Sequence, residues 1–536
     1  MKKRLATLLL CLAMVFTTLT GCGSKSEPAP SGSTGDANAN TNTSTSEPAA
    51  APEATVATTG GIIRSVEGFA YATLDPHKDY NSWHSQKYGL TESLFKLGDD
   101  MKIQPWLAKS LEIKDTVAVL TLNDGVCFSN GTPLTADMVK RNLERLSEVN
   151  KRFKFYANFT MEATDDKTLT ITMPEVMPTL ENEMASPEAC MLDLDATTDI
   201  DNAPISTGPF AVDVFIPEGD ITLKRNDNYW GGHVNLDGAK FFSMRDGQSK
   251  LMAMQNGEID AYDSLSATDI EIFSAEPDRY QLFSVPSQAR TYMFLNPKTV
   301  PESVRQAVIL TVDRESISAF MGGTVSPSYG AYNESTPYGK VQYPSIDLAK
   351  AKEIMEADGY TLNSNNVYEK NGVELPTIGL YCYAARSIDS MAVLIKEQLT
   401  NSGIPAEIKL VEDPDGTYMT DKQYDICFYR MTTDKTGDPL AFIDGVVRSG
   451  SYQDITGYGN AATDAQIEEL RFTIDSEKRA EIANAIMQDY TDAAVFCPLV
   501  TYNRNIVMST GVTHFAETNP YEFYTLDANT TAPSQK

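Results

Sequence analysis

Arginines and acids placed at strand ends are the residues of this chain best suited to hold a small charged ligand. Residues 377–383 read as a strand, and the loop after it, Ala384-Ala385-Arg386-Ser387, opens a helix. Ligands of open α/β sheets sit at the carboxyl ends of strands. Backbone N–H groups at a helix start favour an anion, and Arg386 adds a planar fork suited to a carboxylate. A second loop, 432–439, follows a strand over 424–431 that carries Tyr429 and Arg430 near its end. Asp434 and Thr436 are its polar candidates, whereas Asp438 is placed to cap a helix beginning after Pro439. Arg290 opens another strand and can reach a ligand carboxylate from there. In the N-terminal half, Tyr80, Trp83 and His84 share one loop, where aromatic rings would pack on a ligand or simply on each other. His84 is the one metal-ligating candidate, acting through a chelate carried by the ligand.

Catalytic patterns are missing. The chain contains no His-Glu-x-x-His, no Gly-x-Ser-x-Gly and no phosphate-binding P-loop, and it has only four histidines. Gly457-Tyr458-Gly459-Asn460-Ala461-Ala462 fits a dinucleotide fingerprint in letters, but no apolar strand precedes it. A net charge of −29 without a basic stripe argues against nucleic acid as a partner. A binding protein without a cofactor is the expectation, with an extracellular hydrolase as the enzyme alternative.

The elements that must position these residues follow from periodicity. Strand 377–383, a helix over 387–402 with Met391, Leu394, Ile395 and Leu399 inward, and strand 406–411 form a βαβ unit, hence a parallel pair with a right-handed crossover. Gly403 stops the helix. Thr135 caps a helix whose Val139, Leu143 and Leu146 face inward. Residues 210–216 and 221–223 alternate as a hairpin around Pro217-Glu218-Gly219-Asp220. Gly208, in Ser206-Thr207-Gly208-Pro209, is expected to supply an unusual backbone angle. Tyr229 and Trp230 read as scaffold rather than ligand contacts. Strands are expected at 494–500 and 505–508. A chain of 536 residues exceeds one ordinary core, so at least two domains are expected.

The N-terminus reads as an export signal: Lys2, Lys3 and Arg4 precede an apolar run too short for a membrane span. It ends in Leu19-Thr20-Gly21-Cys22, a lipobox pattern that marks Cys22 for lipidation. Residues 23–60 are Ser, Thr, Ala, Pro, Gly and Asn with almost no large apolar side chain, the composition of a flexible tether. The five cysteines beyond Cys22 are an odd number, so complete internal pairing is excluded, and one disulfide is compatible with the count.

In order along the chain, STGPF at 206–210, LKRNDNYWGG at 223–232 and MQNGEID at 254–260 resemble the family 5 extracellular solute-binding proteins of bacterial ABC importers. YGLTESLF at 88–95, Pro105-Trp106-Leu107-Ala108, and Val304-Arg305-Gln306-Ala307 followed by Asp313-Arg314 extend the likeness across about residues 61–530. The resemblance implies an α/β, two-lobed periplasmic-binding-protein-like fold of the class II type. Lobe I would comprise 61–284 plus 506–536 and lobe II 285–505, joined by two hinge strands. It implies a monomer, lipid-anchored on the outer face of the cytoplasmic membrane, that delivers short peptides or a nickel chelate to a permease driven by an ATPase. A surface-displayed signalling or adhesion lipoprotein is the alternative on the same fold. In nickel-chelate relatives an arginine and an aromatic hold the chelator where Arg152 and Tyr156 stand here. The downstream Ser-Pro-Arg of those relatives is Ser186-Pro187-Glu188 in this chain. Peptide-binding relatives hold the ligand α-amino group with an acid near Asp434, one position from its usual place.

Overall fold

The computed structural model describes residues 57–58, 60–69, 71–385, 387–434, 436–515, 517–521 and 523–533. The export signal, Cys22, all but the end of the tether, and Arg386 lie outside the described residues.

The first lobe is built on two four-stranded sheets. In one, strand β1 (Ile62–Glu67) pairs in parallel with β4 (Gly238–Ser243), which is followed outward by β3 (Ile221–Arg225) and β2 (Phe210–Phe215). The β2–β3 hairpin has the expected turn, with Glu218 at a φ of 59°. The other sheet runs antiparallel through Ala108–Lys114, Val117–Leu122, Thr168–Thr172 and Thr160–Ala163. Helix α2 (Ala136–Val149) lays buried Val139, Leu143 and Leu146 into the same core, and Thr135 Oγ1 accepts from Met138 N at its start. The short helix α1 (Asn81–Lys87) carries Trp83, His84 and Gln86.

Gly208 has a different role from the expected one. Its φ is not in the left-handed region; instead, a Cβ there would lie 2.3 Å from the Gly89 carbonyl oxygen and 2.6 Å from Leu90. Close backbone approach, not an unusual angle, demands glycine.

A seven-stranded mixed sheet, which reaches from the second lobe into the first, is ordered Ala261–Asp263, β9 (Phe496–Ser509), β5 (Tyr280–Leu295), β8 (Ile426–Thr432), β6 (Ile378–Cys382) and β7 (Ala406–Leu410), with Val325–Pro327 paired to β9. The expected βαβ unit is present: β6 and β7 are parallel, and α3 (Ile388–Asn401) crosses between them with Met391, Ile395 and Leu399 buried. Gly403, at a φ of 87°, follows its end.

Strands β5 and β9 are 16 and 14 residues long and pair antiparallel along nearly their whole length. They are the two hinge strands of the two-lobed fold. The sequence suggests two strands where β9 is one, because Tyr502-Asn503-Arg504 interrupts the apolar run. Their backbone nevertheless pairs: Asn503 faces Pro286 and Arg504 faces Val285. Beyond β9 the chain packs on the first lobe, where Leu526 N donates to Lys87 O. Cys127, Cys190, Cys382, Cys427 and Cys497 are all free thiols.

Candidate functional site

The register of β5 against β9 breaks between Pro286 and Arg290. An irregularity of this kind re-aims side chains and leaves local backbone unpaired. Ser287, Gln288 and Ala289, within that break, line a cavity of about 220 Å³ with Trp83, Arg430, Tyr502, Arg504 and Phe523. Each wall comes from a different element: α1, both hinge strands, β8, and the C-terminal return.

Two arginines line this cavity, one of them, Arg504, also 3.9 Å from Asp263 of the neighbouring recess. Arg430 lies over the Tyr502 ring, 5.0 Å from its centroid. Arg504 is buried and held by the Asn519 carbonyl at 3.1 Å and Thr525 Oγ1 at 2.8 Å. Both arginines line the cavity and no carboxylate does. The Trp83 indole N–H is buried without a hydrogen-bond partner among the described residues, as is Gln288 Oε1. Arginine side chains, the Trp83 N–H and Gln288 Oε1 therefore share one cavity, a set suited to a carboxylate with a neighbouring N–H.

A second recess of about 200 Å³ shares Trp83 and Ser264 with the first, and is lined by Glu67, His84, Lys87, Lys250 and Asp263. His84 Nδ1 lies 3.1 Å from Glu67 Oε2, and Lys87 Nζ is 3.7 Å from Glu67 and 3.5 Å from Asp263. Burial alone would raise the Glu67 pKa, but Lys87 and His84 outweigh it and hold the carboxyl at about 2. No three His, Cys, Asp or Glu side chains gather to hold a metal ion among the described residues. His84 also lies against the Tyr71 ring, 3.5 Å between centroids.

Behind the cavity, Arg290 and Asp434 are both buried. Arg290 donates to Thr433 Oγ1 at 3.0 Å, and Asp434 Oδ2 accepts from the Tyr338 hydroxyl at 2.6 Å. Burial pushes the Asp434 pKa up to about 7, against the Tyr338 hydrogen bond and the Arg290 charge. The loop of Asp434 also meets the first lobe: Tyr521 donates to the Asp434 carbonyl at 2.9 Å, and Asn182 to the Thr436 carbonyl at 2.7 Å.

Of the residues singled out by sequence, the structure brings Trp83 and Arg430 to one cavity, puts His84 in the adjoining recess, and sets Arg290, Asp434 and Thr436 outside both linings. Others stand apart. Tyr80 is 61% exposed, edge-on to Trp83, and lines neither cavity. Tyr429 faces the other side of β8 from Arg430, by strand alternation, and donates to Asp415 at 2.7 Å. Arg152 pairs with Glu183 and Glu188, and Tyr156 is buried in the first-lobe core against Phe153. Asp438 takes the capping role: its Oδ1 accepts from Leu440 N, and Arg479 grips it in a buried pair.

Gln288, Tyr502 and Arg504 were missed by sequence reasoning. Tyr502 and Arg504 had one signal, the polar interruption in the apolar run of β9, and Gln288 in β5 had none.

The comparisons with known proteins agree with this architecture. Residues 102–454 match the bacterial extracellular solute-binding proteins, family 5 Middle. The nickel-binding protein NikA of Staphylococcus aureus is 26% identical over 456 residues, 83% of this chain and 89% of that protein. The glutathione-binding protein GsiB of Escherichia coli is 27% identical over 311 residues, 55% of this chain and 60% of that protein. The crystal structure of a nickel ABC transporter protein from Bacillus halodurans superimposes with a TM-score of 0.81 at 24% identity, over 88% of this chain and all of that one. Matched over more than half of its length by that family, and built on the two-lobed fold with its hinge strands, the chain belongs to the family 5 bacterial extracellular solute-binding proteins.

Proposed function

We propose that this protein captures a small carboxylate-bearing solute between its lobes and hands it to the permease of an ABC importer. The solute is an amino-acid chelate of nickel or a short peptide. One observation carries the reading: Arg430 and Arg504 face a common cavity with the Trp83 N–H and Gln288 Oε1 at the crossing of the hinge strands. Lobe I would span 61–284 plus 506–536 and lobe II 285–505, with closure by bending at that crossing. Cys22 would tether the receptor to the membrane surface by its lipid, as a monomer.

Cavities of about 220 and 200 Å³ suit a ligand of dipeptide size or a chelate of two amino acids, not a long peptide. Nickel would enter as cargo with its ligands already in place, since no metal-holding cluster stands among the described residues. The likeness to a nickel-binding and a glutathione-binding protein supports both ligand classes.

Calorimetry on residues 54–536, which form one compact unit, tests the reading. Titration with Ni(II)–histidine, dipeptide pools and nickel chloride alone should give saturable heat for one of the first two and none for the third. No heat from either, or equal heat in Arg430→Ala, would overturn it.

A further inference from the structure

The two cavities of the cleft meet at Trp83 and Ser264, and their charges are unequal. Among the described residues lining them, Arg430, Arg504, Lys87 and Lys250 stand against the carboxylates of Glu67 and Asp263. Two of the four cations answer those carboxylates. Lys87 is buried between them, 3.7 Å from Glu67 and 3.5 Å from Asp263, and Arg504 lies 3.9 Å from Asp263. Arg430 is the cation of the proposed carboxylate site. Lys250 is the fourth.

Lys250 ends the first turn of the helix Gly247–Gln255, next to Leu251, which packs with Met254 against Val66 of β1. From this first-lobe anchor its side chain reaches the recess half-buried. Its Nζ lies beside the Gly68 backbone, where an added Cβ would come within 3.2 Å of it. Among the described residues, no carboxylate is within ion-pair distance of Nζ and it makes no hydrogen bond. Burial alone would raise the Asp263 pKa, but Lys87 and then Arg504 outweigh it, with only a weaker pull from Lys250. An ammonium partly withdrawn from water, with no anion of the protein against it, is poised for one brought by a ligand.

The corner between the cavities is open to a solute that spans both. Ser264 is exposed there, and its hydroxyl makes no hydrogen bond among the described residues. Arg430 comes from β8 and Lys250 from the first-lobe helix, so a solute with a carboxylate on each would be held from both sides of the cleft.

We propose that Lys250 receives a second carboxylate of the cleft ligand and makes the receptor selective for short peptides that carry an acidic side chain besides the terminal carboxylate. This rests on the cleft reading, in which Arg430 holds the first carboxylate.

A matched pair of dipeptides supplies the test, because alanyl-glutamate and alanyl-glutamine differ by one charge at nearly the same shape. Calorimetry on residues 54–536 should show the glutamate peptide bound about tenfold more tightly, as one hydrogen bond between charged groups provides. In Lys250→Gln the two affinities should converge, with that of the glutamine peptide little changed. Equal affinities in the wild type, a comparison that needs no variant, would overturn the inference and leave the cleft reading in place. Equal weakening of both peptides in Lys250→Gln would do the same, marking Lys250 as structural. So would saturable heat from Ni(II)–histidine with none from either dipeptide. No heat from any of the three would overturn the cleft reading as well.

Discussion

The Tyr338 hydroxyl donates to Oδ2 of Asp434 at 2.6 Å, and the carboxylate is fully buried. A buried carboxylate holds its proton more tightly than one in water, and here burial outweighs Tyr338 and Arg290 to place the pKa at about 7. The unfolded chain would release that proton near pH 4. Between those limits the folded state binds the extra proton, so the stability this group contributes is present at low pH and lost as pH rises toward 7.

Asp434→Asn removes that titration. Urea midpoints from pH 4 to 8 should show the wild type losing stability relative to the variant, by up to a few kcal/mol. Glu92, also raised to about 7 by burial against its Trp230 and Tyr229 hydrogen bonds, is present in both proteins and cancels from the difference. Parallel profiles for the two proteins would show that Asp434 stays ionised throughout.

Arg430 stands over Tyr502 in the cleft cavity, so its loss removes a charge-assisted contact from any bound carboxylate. Arg430→Ala should lower ligand affinity about tenfold or more, in line with ~1.5–3 kcal/mol for a hydrogen bond to a charged group. Trp83→Phe keeps an aromatic ring but loses the N–H together with the five-membered ring, and should cost less, with about 0.5–1.5 kcal/mol from the hydrogen bond. Calorimetry with Ni(II)–histidine or the dipeptide pools, whichever gives saturable heat with the wild type, ranks the two.

Much of the fold is legible in the sequence, and the reason is local. Thr135, Gly403 and the apolar spacing of 391, 395 and 399 each act within a few residues, so pattern alone locates those elements. The cleft is less legible because its walls are assembled by a register break. Gln288 and Arg504 are 216 positions apart in the numbering and share the cavity only through the β5–β9 pairing. Arg430 was found through the rule about strand ends, but Tyr429 beside it was included with no means of telling which face of β8 looks inward. Gly208 shows the same limit: a sequence marks a glycine, whereas only the fold shows the Gly89 carbonyl pressed against it.

Asp438 and Arg479 form a buried pair, with Arg479 Nη2 2.6 Å from Asp438 Oδ2, and Asp438 also caps the following turn. Removing one partner of such a pair leaves the other charge buried and uncompensated. Asp438→Ala should therefore destabilise the protein by about 3–5 kcal/mol. Asp438→Asn keeps an acceptor for Leu440 N and should fall between the two. Denaturant midpoints measure both, and a loss below about 1 kcal/mol in the alanine variant would show that Arg479 finds another partner.

Gly208 and Gly247 make a matched test of what a glycine is for. At Gly208 an added methyl would sit 2.3 Å from the Gly89 carbonyl oxygen, and backbone on both sides must move to admit it. Gly208→Ala should cost about 1–3 kcal/mol, the usual penalty for overpacking. At Gly247, the first residue of the helix Gly247–Gln255, a Cβ would meet nothing within 4 Å, and the backbone is not left-handed. Gly247→Ala should instead stabilise by about 0.5–1 kcal/mol, because alanine has less conformational freedom to lose on entering the helix. Thermal unfolding of the two variants should move in opposite directions; a shift of the same sign in both would mean that chain entropy, and not the approach to Gly89, governs position 208.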